Sequence, residues 1–243
     1  MMKAVTSIAP NPLRAESQRA YLKSWRDSGL EVVSLNHPSE IEWLAITYPE
    51  VQFVPTERTG IATFGRHYVR INALLDYVAE LGEPILLVNA DLRLEVAPGW
   101  WAELWQLADA GLPYLLQYNY AADGSRTLEP WGVSAFLLHP RLVSHFAEST
   151  LCLGMPWWDY WPTAVVVAAG QRLYSPATVL AHHTAHPGNW TVDHWLACAA
   201  ELDRLVSPEP IAQHIMDSAS RLSRRMRALI DQHTTPINLG AAR

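Results

Sequence analysis

The sequence predicts an α/β fold: a mostly parallel sheet flanked by helices, followed by a C-terminal helical extension. Three observations carry this. Short β-prone runs alternate with helical apolar patterns through the first half of the chain, the order expected of a doubly wound parallel sheet. The run "ILLVNA", residues 85–90, is apolar on consecutive residues, as in a strand covered on both faces. After Pro208 and Pro210 the chain carries one long amphipathic pattern.

Each element has a local reason. "AVTSIA" is a β-prone run that stops at Pro10-Asn11-Pro12, where Asn11 can cap a helix and Pro12 suits its first turn. That helix is expected to reach Asp27, closed by Gly29. "EVVSLN" is a second strand, and Ser39-Glu40-Ile41-Glu42 reads as a capping box for a helix with Ile41, Leu44, Ala45 and Tyr48 on one face. "VQFVPT" is a third strand. After the polar loop "ERTGIATFGRH", Ile71, Leu74, Leu75 and Val78 recur at helical spacing, and Gly82 and Pro84 end the helix. The second half is less regular. It reads as a helix over 100–110, a strand "YLLQYNYA", a turn at Asp123-Gly124, a strand "VSAFLLH" and a short helix over 141–148. The tryptophan-rich loop "LGMPWWDYWP", a helix to Ala169 and extended segments through "RLYSPATVLAHH" follow. Two helices close the chain, the last over 209–232, with Ile211, Ile215, Ala219, Leu222, Met226 and Leu229 as one stripe. The organisation is therefore a domain over 1–207 and a C-terminal helix and tail over 208–243.

Composition excludes several classes. A net charge of −6 and a pI near 5.9 argue against nucleic-acid binding, which needs a basic face. Apolar residues at 49% suffice for a core, and charged residues at 17% are too few for a disordered chain. The two cysteines, Cys152 and Cys198, form no disulfide framework, which fits a reducing compartment. The opening "MMKAVTSIAPNP" lacks a signal-peptide core and no run reaches membrane-spanning length, so a cytoplasmic protein is expected.

The strand "EPILLVNADLRLE" ends in Asn89-Ala90-Asp91. Ligands of open α/β sheets bind at the carboxyl ends of strands. A carboxylate there, with Asn89 two residues earlier on the same face, can ligate a hard divalent cation and orient a ribose or diphosphate. The alternative is that Asp91 only starts a turn. The neighbours point to the former. "LLVNADLRL", "FGRHYVRINALL", the opening "TSIAPN" with "VVSLN", and "WWDYW" followed by "HHTAH" together resemble the nucleotide-sugar glycosyltransferases of the GT-A fold, family 2-like, over residues 3–195. One departure is that Asn89 stands where that family carries the first acid of Asp-x-Asp.

The resemblance implies a Rossmann-type, GT-A-like sheet holding a nucleotide diphosphate sugar through a divalent cation, manganese or magnesium. It places Pro10, Asn11 and Asn36 against the nucleoside, Thr56 and Arg58 after the third strand, and Arg66 at the start of the helix beneath the phosphates. For the two arginines, solvated surface charge is the competing reading. It also makes an acid of the tryptophan-rich loop the catalytic base in inverting members, and Asp159 is the candidate. An Asp before Tyr160-Trp161-Pro162 is equally a helix N-cap, and the two roles are compatible. Flat aromatic faces such as Trp157 and Trp158 suit sugar rings. Trp131-Gly132 can let a sugar pass close to the backbone, or can simply lead into a strand.

In "AHHTAHPGNW" no helical His-Glu-x-x-His pattern marks an independent zinc site. The family often supplies a late His to the metal. Alternation puts His182 and His183 on opposite faces, so His183 is the first candidate and His186 the second, beside Asp91. The expected activity is transfer of a sugar from a nucleotide diphosphate donor to a hydroxyl on a glycan, lipid or protein. The rivals are an inactive sugar- or nucleotide-binding module, suggested by Asn89, and a nucleotidyltransferase, which "SIAPNPLRAES" disfavours by lacking a glycine-rich phosphate loop. The apolar stripe of the last helix, beyond two prolines, points to a homodimer contact, with packing on its own domain as the alternative.

Overall fold

A computed structural model describes residues 2–97, 99–129, 132–186, 188–211 and 214–239. Four strands, β1 (Lys3–Thr6), β2 (Glu31–Asn36), β3 (Gln52–Pro55) and β4 (Ile85–Val88), run parallel in the order β3-β2-β1-β4. A late strand over Ala135–Leu138 closes the β4 edge antiparallel. Helices α1 (Ala15–Asp27), α2 (Pro38–Thr47), α3 (Ile61–Phe64) and α4 (Ile71–Leu81) make the crossovers. Alternate residues of the strands enter two cores. Val5, Val33, Leu87 and Phe136 pack with α4 on one face, and Ala4, Val32, Leu86 and Leu137 pack with α1 and α2 on the other. That is why "ILLV" could not show a polar face.

Asn11 accepts from the Leu13 amide at 3.1 Å and opens a 3-10 turn over Pro12–Arg14 that leads into α1. Gly29 takes φ 90 after it. The expected capping box of α2 is absent: the helix starts at Pro38, and His37 caps it through the Ser39 amide. A proline at the first turn moved the start upstream. The polar loop before α4 contains α3, and α4 begins at Ile71 rather than at Arg66.

The remaining elements are β5 (Leu92–Leu94), α5 (Trp100–Ala108), β6 (Gly111–Pro113), β7 (Gln117–Tyr120), β8 (Arg126–Leu128), β9 (the late strand, Ala135–Leu138), α6 (Tyr160–Ala168), β10 (Arg172–Pro176), β11 (Ala181–Thr184), α7 (Val192–Val206), α8 (Met216–His233) and β12 (Thr234–Ile237). They add a four-stranded sheet, β5-β11-β7-β8, and a parallel three-stranded sheet, β12-β10-β6. Of the single strand expected over 114–121, only 117–120 forms one, β7; β6 ends before that run and lies in a different sheet. The short helix expected over 141–148 is a 3-10 turn over Pro140–His145. The last helix starts at Met216, not near Glu209. Ile211 and Ile215 are exposed, while Ala219, Leu222, Met226 and Ile230 are buried in the core shared with α6 and α7. The part of the expected stripe from Ala219 to Met226 is covered by its own chain, and β12 pairs with β10, so residues 216–237 are built into the fold. Cys152 and Cys198 are free and buried. No helix among the described residues is long and apolar enough to cross a membrane.

Candidate functional site

The strand order reverses between β1 and β4, and a crevice opens at the carboxyl ends of such a pair. A cavity of about 590 Å³ lies there. Ile8–Asn11 after β1, Asn36 at the end of β2, and Asn89–Asp91 after β4 line it, together with Arg14, Glu40 and Arg66. Its floor is fixed by buried polar bonds. The Ile8 amide donates to Ser34 Oγ at 2.9 Å, and Asn36 Nδ2 donates to the Ile8 carbonyl at 2.9 Å and to Glu40 at 3.1 Å.

Register explains the histidines. β5 begins one residue after Asp91, and β11 pairs with it antiparallel, so that His183 stands opposite Leu92. The chain after β11 returns His186 to the same point. His186 Nε2 lies 3.0 Å and His183 Nε2 3.5 Å from Asp91 Oδ2, and the two nitrogens are 3.4 Å apart. All three ligand atoms lie within 4.8 Å of one another, an arrangement that can hold a metal ion. Burial opposes ionisation of Asp91, but the hydrogen bonds and charge of His183 and His186 outweigh it and hold the carboxyl well below its ordinary value. His182 points to the opposite face, 3.1 Å from Glu95 and from the Tyr120 hydroxyl.

A second cavity, of about 650 Å³, shares Asn89, Asp91, Gly154 and His186 with the first. Asp159, Gly132, Gln117, Trp157, Trp158 and His183 are among its walls. The Asp159 side chain does not cap α6. Its Oδ2 instead accepts from the Val133 amide at 3.0 Å. Burial pushes its carboxyl up to about 7, against the pull of the backbone amides, with Glu129 adding to the rise. A Cβ on Gly132 would meet Asp159 Oδ2 at 2.0 Å, so the glycine permits the close approach of this carboxylate. Trp157 has φ 73, unique among the described non-glycine residues and a strained backbone of the kind that clusters at functional sites.

The structure therefore gathers Pro10, Asn11, Asn36, Arg66, Asn89 and Asp91 around one cavity, and Gly132, Trp157, Trp158, Asp159 and His183 around the other. It does not bring Thr56 or Arg58 to either. Arg58 reaches Glu148 at 2.6 and 2.7 Å and also pairs with Asp76 of α4. Trp131 lies outside the described residues. Trp157, Trp158 and Trp161 are only 3%, 2% and 1% exposed, so most of their surface packs in the core instead of offering stacking faces. Trp190, 42% exposed, and Trp195 line the second cavity beside Trp157 and Trp158. Glu40, Gln117, Glu129 and Arg224 were missed by sequence reading. Glu40 was noted there only as part of a capping box.

No protein-family model matches the sequence, and no curated protein matches it. Among solved structures, a proposed nucleotide-diphospho-sugar transferase from Desulfovibrio desulfuricans G20 is similar at TM-score 0.43 and 13% identity, over 97% of this chain and 100% of that one. A proposed glucose-1-phosphate thymidylyltransferase from Bacillus anthracis, solved with sucrose, is similar at TM-score 0.38 and 11% identity, over 99% and 98%. Both likenesses are too distant to carry an activity across.

Proposed function

We propose that this chain is a glycosyltransferase that moves a sugar from a nucleotide diphosphate donor to a hydroxyl acceptor, with a divalent cation at Asp91, His183 and His186. The observation that supports this most is the meeting of two cavities at that cluster. The first, at the switch point, suits a nucleoside diphosphate, with Arg14 and Arg66 as counter-charges in its wall. The second holds a carboxyl group with a pKa near 7, matched to accepting a proton at neutral pH.

One carboxylate and two imidazoles suit a transition ion such as manganese better than magnesium, which keeps to oxygen ligands. The Asn89 side-chain oxygen is buried without a partner among the described residues, so a ligand or its hydration can complete the site. When bound, the cation would neutralise charge on the departing diphosphate. Asp159 takes the proton of the acceptor hydroxyl as its oxygen bonds to the anomeric carbon and the bond to the diphosphate breaks. Such a base is what a single inverting displacement needs.

The test is release of nucleoside diphosphate from UDP-, GDP-, dTDP- and CDP-sugars, with manganese and with chelator. Release from at least one donor is expected, and Asp159→Asn lowers it at least about a hundredfold. Binding of donors without release under any metal would support the inactive module. Pyrophosphate formed from a nucleoside triphosphate and a sugar phosphate would instead identify nucleotidyl transfer.

A further inference from the structure

We infer that the second cavity takes an acceptor bearing an anionic group as well as hydroxyls, and that Arg224 of α8 holds the anion. This rests on reading that cavity as the acceptor side. Helix α8 carries four arginines, at 221, 224, 225 and 227. Three are engaged: Arg221 pairs with Asp217, Arg225 lies 3.6 Å from Asp203 and 2.7 Å from Ser207 Oγ, and Arg227 lies 2.6 Å from Asp231. Arg224 has no carboxylate partner among the described residues, and of the four it is the one that lines the cavity.

The acids facing it are already satisfied. Asp91 is held by His183 and His186, and Asp159 accepts from the Val133 amide. Glu129 accepts from the Gly132 amide at 3.3 Å and from Asn119. Among the described lining residues Arg224 is the one arginine or lysine, and no carboxylate pairs with it. A guanidinium without a partner favours a carboxylate or phosphate, onto which its planar fork can donate twice.

The position of Arg224 is fixed relative to the chemistry. Ala219, Leu222 and Met226 bury the other side of α8. The neighbouring Ser223 Oγ lies 3.1 Å from the hydroxyl of Tyr160, the residue after Asp159. Two further wall atoms, Gln117 Oε1 and Trp157 Nε1, are buried without partners among the described residues. An orphaned acceptor and an orphaned donor call for a ligand that supplies both hydroxyl hydrogens and acceptor oxygens. A hydroxylated ring with one anionic substituent does so.

Glucose, glucuronate and glucose 6-phosphate present one ring with a neutral, a carboxylate and a phosphate substituent. Each is titrated into the full chain without nucleotide, read by the fluorescence of the tryptophans lining the cavity. At least one anion is expected to bind about tenfold or more tighter than glucose, about 1.4 kcal/mol. Arg224→Gln removes that advantage, Arg224→Glu reverses it, and Arg221→Gln leaves it intact. The tighter anion tells carboxylate from phosphate. Three equal affinities, no binding by either anion, or an advantage that survives Arg224→Gln would overturn the inference. Nucleoside diphosphate binding, measured in the same samples, reports separately on the first cavity.

Discussion

Asp159 concentrates the conflict between stability and chemistry in a few atoms. Burial raises its carboxyl to about 7, above the ordinary value of a carboxylate, so ionising it opposes folding. Its stabilising contribution is complete below the ordinary carboxylate range and is lost as pH rises through about 7. The base needed for transfer exists only above that same pH. Transfer is therefore expected to rise on an acidic limb near pH 7 while the melting temperature falls, and Asp159→Asn should flatten both profiles. A rate profile of the parent with no inflection between pH 6 and 8 would remove Asp159 from the reaction. Gly132→Ala tests the same group from outside, since a methyl 2.0 Å from Asp159 Oδ2 must displace the carboxylate. Transfer should drop while nucleotide binding stays, as separate assays of the two would reveal. The sequence marked Asp159 through its setting among tryptophans, but it could not tell cap from base. What takes the side chain away from the cap is the Val133 amide, 26 positions away in the chain.

At the scale of elements, the sheets determine which candidates meet. The β5–β11 register carries His183 to Asp91, and alternation sends His182 the other way, as the sequence pattern predicts. Arg58 was misread because an arginine after a strand end carries no sign of which acid it will meet. Helix α8 shows a related limit. An amphipathic stripe says that a face is buried, never against what, and here the face lies on α6 and α7. Met226→Ala should accordingly cost about 2–5 kcal/mol in denaturant unfolding, the usual range for a fully buried methionine. Deleting residues 208–243 removes both that face and β12, so the truncated chain is expected to lose its cooperative transition. A truncated chain that melts like the parent would show the helix to be dispensable.

Across the whole molecule, the first half was more legible than the second, where α5, α6 and β9 were expected but the sheet partners were not. Strands β1 to β4 alternate with helices that close on Gly29 and Gly82, so local pattern and tertiary position agree there. In the second half, apart from the β7–β8 pair, strands of three to five residues pair with partners far along the chain, and such pairings leave no local period. The first cavity, built from strand ends, was accordingly readable. The second cavity was readable in Gly132, Trp157, Trp158, Asp159 and His183, while its lining from β7 and α8, Gln117 and Arg224 among it, was hidden. What joins the two cavities is the cluster of Asp91, His183 and His186. Calorimetric titration of UDP and GDP into the parent chain and Asp91→Ala, each with manganese and with chelator, tests this union most directly. The account predicts that at least one nucleotide binds the parent more tightly with manganese, and that Asp91→Ala abolishes the difference. Equal binding with and without the ion in the parent chain would contradict it.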